Sequence, residues 1–100
     1  MAGEKQIENE IKKYLKSKKI YHVKIHGSTF QQVGIPDILA CVKGTFVGIE
    51  VKDIGKEYNT SEAQKVHIEN IISSGGRAVV VSSVEQVKRL VEQIERDTIK

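Results

Sequence analysis

Apolar residues recur along this chain with two different periods, and the switches between them mark out its elements. From Glu4 to about Lys18, the residues Ile7, Ile11, Tyr14 and Leu15 fall at i, i+4, i+7 and i+8, a single stripe along one helix that no proline or glycine interrupts. Tyr21 to His26 then alternates, with Val23 and Ile25 set between polar neighbours, which predicts a short half-exposed strand. The glycines and polar residues of Gly27 to Gly34 predict a loop. Pro36, the only proline, opens an apolar run from Asp37 to Val42, and proline is tolerated at the first residue of a strand. Lys43-Gly44 reads as a tight turn and Thr45 to Lys52 as the returning strand. After a polar loop from Gly55 to Asn59, Thr60 or Ser61 caps a helix running to about Ser74, stopped by Gly75-Gly76. Arg77 to Ser82 reads as a buried strand. Ser83 caps a last helix with Val84, Val87, Leu90, Val91 and Ile94 on one face. The order is αβββαβα. A helix between strands requires a crossover, so the expected fold class is α/β, a mixed sheet flanked by helices.

Composition narrows this reading. The chain has 100 residues, 39% apolar and 29% charged, which suits one globular domain over residues 1–100. No apolar run approaches the roughly 20 residues of a spanning helix, and no apolar leader follows Met1. The single Cys41 excludes an internal disulfide and cysteine-rich zinc modules, so a reducing, cytoplasmic setting is expected. A net charge of +3 is modest, but its distribution is uneven. Between Glu10 and Asp37 there is no acidic residue, while Lys12, Lys13, Lys16, Lys18, Lys19 and Lys24 all fall there. Such a block suits either a polyphosphate partner or a solvated helix face.

The returning strand carries the chemistry. Residues i and i+2 share a face, so Phe46, Gly48, Glu50 and Lys52 lie on one side and Val47, Ile49 and Val51 on the other. With Lys43-Gly44 as a two-residue turn, Val42 faces Thr45 and Asp37 faces Glu50. Directly opposed residues have Cβ atoms about 4.5–5.5 Å apart, and two carboxylates at that distance repel unless a positive charge joins them. A hard divalent cation supplies that charge, and carboxylate oxygens suit Mg²⁺. Lys52, beside Glu50, is placed to orient or deprotonate an attacking water or to stabilise charge on a phosphate. The competing reading is a structural Asp–Glu–Lys cluster. Against it stands the cost of an uncompensated carboxylate among the apolar neighbours of Glu50.

Pro36-Asp37, a short hairpin and then Glu50-Val51-Lys52 resemble the PD-(D/E)xK nuclease signature. More closely, the chain resembles the virus-type replication-repair nuclease (VRR-NUC) domain, from about Glu4 to Val87. The shared features are the glycine and hydrophobic residue before Pro-Asp, the strand Gly-x-Phe-Val-x-Ile-Glu-Val-Lys, and a helix glutamine followed by Gly-Gly. The resemblance implies a restriction-endonuclease-like core. It also implies that Asp37, Glu50 and the main-chain carbonyl of Val51 bind Mg²⁺ or Mn²⁺, with Lys52 as the catalytic lysine and Gln64 completing the site. The pattern Glu8-Asn9-Glu10-Ile11 and Leu15 is similar to that of the archaeal Holliday-junction resolvases, which implies Glu8 as a further catalytic and metal-binding residue. Helical geometry does not separate Glu8 from Glu4 and Glu10, and all three also suit a helix N-terminus. Gln64 has a second reading as well, because Ser61-x-x-Gln64 fits a capping box.

These observations converge on a metal-dependent endonuclease acting on DNA. Lys12, Lys13, Lys16, Lys19 and Lys24 would hold backbone phosphates, with Ser28 and Gln31 of the loop before Pro36 beside the substrate. Nothing in the sequence provides a recognition helix, so shape-selective cutting of branched DNA is expected. Symmetric incision needs two copies, and the resemblance implies a homodimeric Holliday-junction resolvase. The virus-type resemblance implies a phage or prophage context. The alternatives are a flap, nicking or homing nuclease on the same fold, or a binding module without catalysis. With only 5% aromatic residues, base stacking is poorly supplied for such a module. Cys41 is expected to be a small core residue, and His22, His26 and His67 surface residues.

Overall fold

The structure, a computed structural model, describes residues 3–27 and 33–98. Its elements follow the expected order: α1 (Glu4–Ser17), β1 (Tyr21–Lys24), β2 (Ile38–Val42), β3 (Thr45–Val51), α2 (Glu62–Ser73), β4 (Arg77–Val81) and α3 (Val84–Thr98). The strands form one sheet in the order β1-β2-β3-β4. The pairs β1–β2 and β2–β3 are antiparallel, and β3–β4 is parallel across the α2 crossover. Ser28 and Gln31, which the sequence places near substrate, lie outside the described residues.

The β2–β3 hairpin turns on Lys43 and Gly44, with φ of 50° and 83°. Two consecutive positive φ angles are what a two-residue turn needs to match strand twist, and they set the register. Val42 faces Thr45 and Ile38 faces Ile49, and the same register projected one residue past the end of the ladder sets Asp37 opposite Glu50.

The apolar stripes of α1 and α3 pack on the face presented by Ile38, Ala40, Val42, Val47, Ile49 and Val51. Ile7, Ile11, Leu15, Val87 and Val91 are essentially removed from water there. Burial at this depth contributes roughly 1.5–3 kcal/mol per large aliphatic side chain, which is why these two helices could be read from pattern alone. The opposite face carries α2, seated over Gly48.

Two expectations are corrected. The strand Arg77–Val81 is not buried throughout. Only Val81 is, because β4 is the sheet's edge. Cys41 is exposed rather than in the core. It shares a face with Tyr21, Val23 and Phe46, since Tyr21 pairs with Cys41 and Cys41 with Phe46, and α2 leaves the β1–β2 part of that face uncovered. Among the described residues no helix is long and apolar enough to cross a membrane.

Candidate active site

Glu50 is the only charged residue among the buried positions of the described chain, at 4% exposure. Its strand puts it under α2, where Gln64 Nε2 donates to its Oε2 at 2.9 Å. Lys52 Nζ donates to Gln64 Oε1 at 3.2 Å and lies 3.7 Å from Glu50 Oε2. Gln64 also completes a capping box. Its Oε1 accepts from Ser61 N at 2.9 Å while its own N–H donates to Ser61 Oγ at 3.2 Å. The two roles that looked like rivals in the sequence are therefore held by one side chain. The helix start fixes the amide, and the amide aligns Glu50 with Lys52.

Asp37 sits just beyond the end of β2. Its Oδ2 accepts from Val51 N–H at 2.8 Å, and its own carbonyl accepts from Ile25 N–H at 2.8 Å. The register continued past Ile38 sets Val51 against Pro36, which has no N–H to donate. The Val51 carbonyl is thus left without a ladder partner on the side where Asp37 lies.

Electrostatics single out the same group. The Glu50 carboxyl is pushed up to about 7, first by burial and then by the charge of Asp37 beside it. Lys52 acts in the opposite sense, and hydrogen bonding with Asp37 adds to the rise. Two acids brought together in a poorly hydrated place favour a shared proton or a cation. The donors available are two carboxylates and a main-chain carbonyl, all hard oxygens suited to Mg²⁺ or Mn²⁺. Among the described residues no third His, Cys, Asp or Glu closes this set into a three-ligand cluster, so any ion there would keep positions for water and substrate.

Helix α1 contributes from the other face of the sheet. Of Glu4, Glu8 and Glu10, Glu8 is tied to Asp37 through a lysine, its side chain 14% exposed, while the charge of Glu4 adds to the rise at Glu50. Glu8 does not join Asp37 and Glu50 directly as the resemblance implied for a metal ligand. Lys24 stands between, with Nζ 3.0 Å from Glu8 Oε1 and 3.7 Å from Asp37 Oδ1. Burial alone would raise the Glu8 carboxyl. The hydrogen bond and charge of Lys24, with Lys12 at 3.5 Å, hold it below the usual range. Lys24, expected among the phosphate-binding lysines, is thereby engaged inside the protein, and Lys12 is partly so. Lys13, Lys16 and Lys19 are exposed on or just after α1.

The sequence reading missed this position of Lys24. Its signal lies in the register Lys24–Ile38, one residue from Asp37, which follows only once β1 is known to pair with β2. It also missed Asp53, whose Oδ1 accepts from Glu4 N–H at 2.6 Å and caps a helix whose Gly3 has no side chain to do so.

The sequence profile of the archaeal Holliday junction resolvase (Hjc) family matches residues 2–96, nearly the whole chain. The chain belongs to this family. A solved structure described as a VRR_NUC domain protein aligns with a TM-score of 0.77 at 22% identity, covering 92% of this chain and 87% of that one. At that identity the likeness speaks for the fold, a restriction-endonuclease-like α/β domain. No curated protein matches the sequence. Family and fold together make the chain a nuclease of the PD-(D/E)xK type within the Holliday junction resolvase group.

Proposed function

We propose that this resolvase-family nuclease is a divalent-metal-dependent endonuclease that cuts four-way or similarly branched DNA as a homodimer. The observation that carries the reading is the buried Glu50 held against Asp37, with Lys52 and the Gln64 amide aligned on the same carboxylate. A divalent cation held by Asp37, Glu50 and the Val51 carbonyl would supply Lewis-acid polarisation of the scissile phosphate. The chain's own groups do the rest. Lys52, braced by Gln64, holds an attacking water in line and stabilises charge developing on the phosphate. Gln64 keeps the lysine from collapsing fully onto Glu50. Lys12 and Lys16 follow Glu8 along one side of α1 at about 100° per residue and Lys19 comes just after the helix end, a basic track suited to a phosphate backbone. No base-reading element accompanies them, which supports recognition of shape rather than sequence.

The test is cleavage of a synthetic four-way junction beside flap, splayed-arm and linear duplex DNAs. The expected result is incision of the junction in Mg²⁺ or Mn²⁺ and none in EDTA. Asp37→Asn and Lys52→Ala should each lower the rate by roughly 10²–10⁴-fold with an unchanged circular dichroism spectrum. Binding of junction DNA in EDTA with no cleavage on adding either metal would overturn the enzymatic reading and leave a binding module.

A further inference from the structure

Three carboxylates and three lysines meet at this site, and they are shared unevenly. Asp37 is flanked on both sides. Toward α1 lies Glu8, and the gap is filled by Lys24 Nζ, 3.0 Å from one carboxylate and 3.7 Å from the other. Toward α2 lies Glu50. Lys52 does not fill that gap, since it lies 3.7 Å from Glu50 Oε2, is shared with Gln64 and makes no ion pair with Asp37. Of the two spaces beside Asp37, one holds a cationic side chain and the other does not.

We propose that Lys24 takes the place of a second metal ion, so that the site holds a single divalent cation, between Asp37 and Glu50. This rests on the metal-dependent function proposed above. Two-metal nucleases keep their ions about 3.5–4 Å apart with carboxylates between them. Lys24 Nζ stands in the gap between Glu8 and Asp37 that a second ion would have to bridge, and the Glu8 carboxylate that such an ion would need is neutralised by Lys24 and Lys12 together. A divalent cation entering there would meet the ammonium at contact range and be repelled. The lysine is built into the fold. Its side chain is 23% exposed, its strand register is set by Ile38, and the next residue, Ile25, donates to the Asp37 carbonyl. Lys24 is on this account a positioning residue. It spaces Glu8 from Asp37 and supplies positive charge on the side of the phosphate where no ion sits.

The experiment counts Mn²⁺ bound per chain by titration calorimetry, and by electron paramagnetic resonance of the free ion, on the full chain without DNA. One ion is expected for the wild type and for Lys24→Arg, and two for Lys24→Met. Lys24→Gln carries the same comparison if the methionine variant does not fold. Two ions in the wild type, or one ion in the folded neutral variant, would overturn the inference while leaving the metal-dependent function standing. No binding by the wild type would remove both.

Discussion

A carboxyl group that water barely reaches and that faces a second acid makes the metal-free protein sensitive to pH. Glu50 has an ordinary value of 4.5 and is pushed up to about 7 by burial, with the Asp37 charge next in weight. Between those values the folded chain keeps a proton that the unfolded chain has released. The stability Glu50 contributes is therefore fully present below pH 4.5 and is lost as the pH rises through about 7. Glu8 works with the opposite sign. Lys24 holds it below its ordinary value of 4.5, so its contribution is present above that value and lost as the pH falls through its lowered one. The two windows do not overlap. Urea unfolding in EDTA should accordingly show a decline attributable to Glu50 between pH 4.5 and pH 7, and Glu50→Gln should remove it. Near pH 8 that variant should be more stable than the wild type by about 1–3 kcal/mol, because it replaces an uncompensated buried charge with an amide that can still accept from Gln64. Mg²⁺ should stabilise the wild type more at pH 8 than at pH 5, since protons and metal compete for the same oxygens. A wild type and a Glu50→Gln variant with the same pH profile would refute this account of the site.

Helix α2 has no fully buried residue, so its position depends on a few close contacts rather than on a broad apolar face. Gly48 lies beneath it. A Cβ there would fall 2.9 Å from Ile71 Cδ1 and 3.0 Å from the Pro36 ring. The isoleucine end can move; the proline, one residue from Asp37, cannot do so without shifting the site. Gly48→Ala should thus cost about 1–3 kcal/mol and reduce junction cleavage beyond what its melting temperature explains, because α2 carries Gln64. Ser61→Ala is the complementary probe. It should cost about 1 kcal/mol as a lost cap and weaken cleavage less than Gln64→Leu, which also releases Lys52 and Glu50. Equal activity losses in the two variants would mean that Gln64 acts only as a cap. This scale also explains what the sequence could reveal. Helices α1 and α3 were legible because each buries a whole stripe. The Asp37–Glu50 pairing was legible because a two-residue turn leaves the register no freedom. The course of β1 against β2 was not, since thirteen residues separate Lys24 from Ile38 and no local rule sets that register. The place of Lys24 between Glu8 and Asp37 was consequently not legible. Cys41 was assigned to the core because alternation tells which residues share a face, but not whether a helix covers that face.

At the scale of the molecule, the face of β1 and β2 left open by α2 bears on assembly. Tyr21 is 74% exposed and Phe46 49%, with Val23 and Cys41 exposed between and beside them. A groove of about 350 Å³ lined by Phe46, His67, Ile71 and Gly76 continues this surface toward α2. Contiguous apolar surface of this kind is uncommon on a protein that works alone, and under the proposed function its occupant is a second copy. One chain carries one candidate site, and the proposed junction substrate must be cut on two strands. The geometry permits it. Phe46 and Glu50 lie on the same face of β3 four residues apart, roughly 13 Å along the strand, so a partner seated over Phe46 and Tyr21 leaves the Glu50 end of the sheet open to DNA. The proposed dimer should therefore appear as twice the chain mass in light scattering at micromolar concentration. Tyr21→Glu with Phe46→Glu should give a monomer, since burying two new charges in an apolar contact is prohibitive. With the site itself intact, that monomer should still nick junction DNA but lose paired incision on opposing strands, which a supercoiled cruciform plasmid separates as nicked circles from linear product. A wild type that is monomeric under these conditions, or a double variant that stays dimeric, would place the subunit contact elsewhere and leave the open face without this explanation.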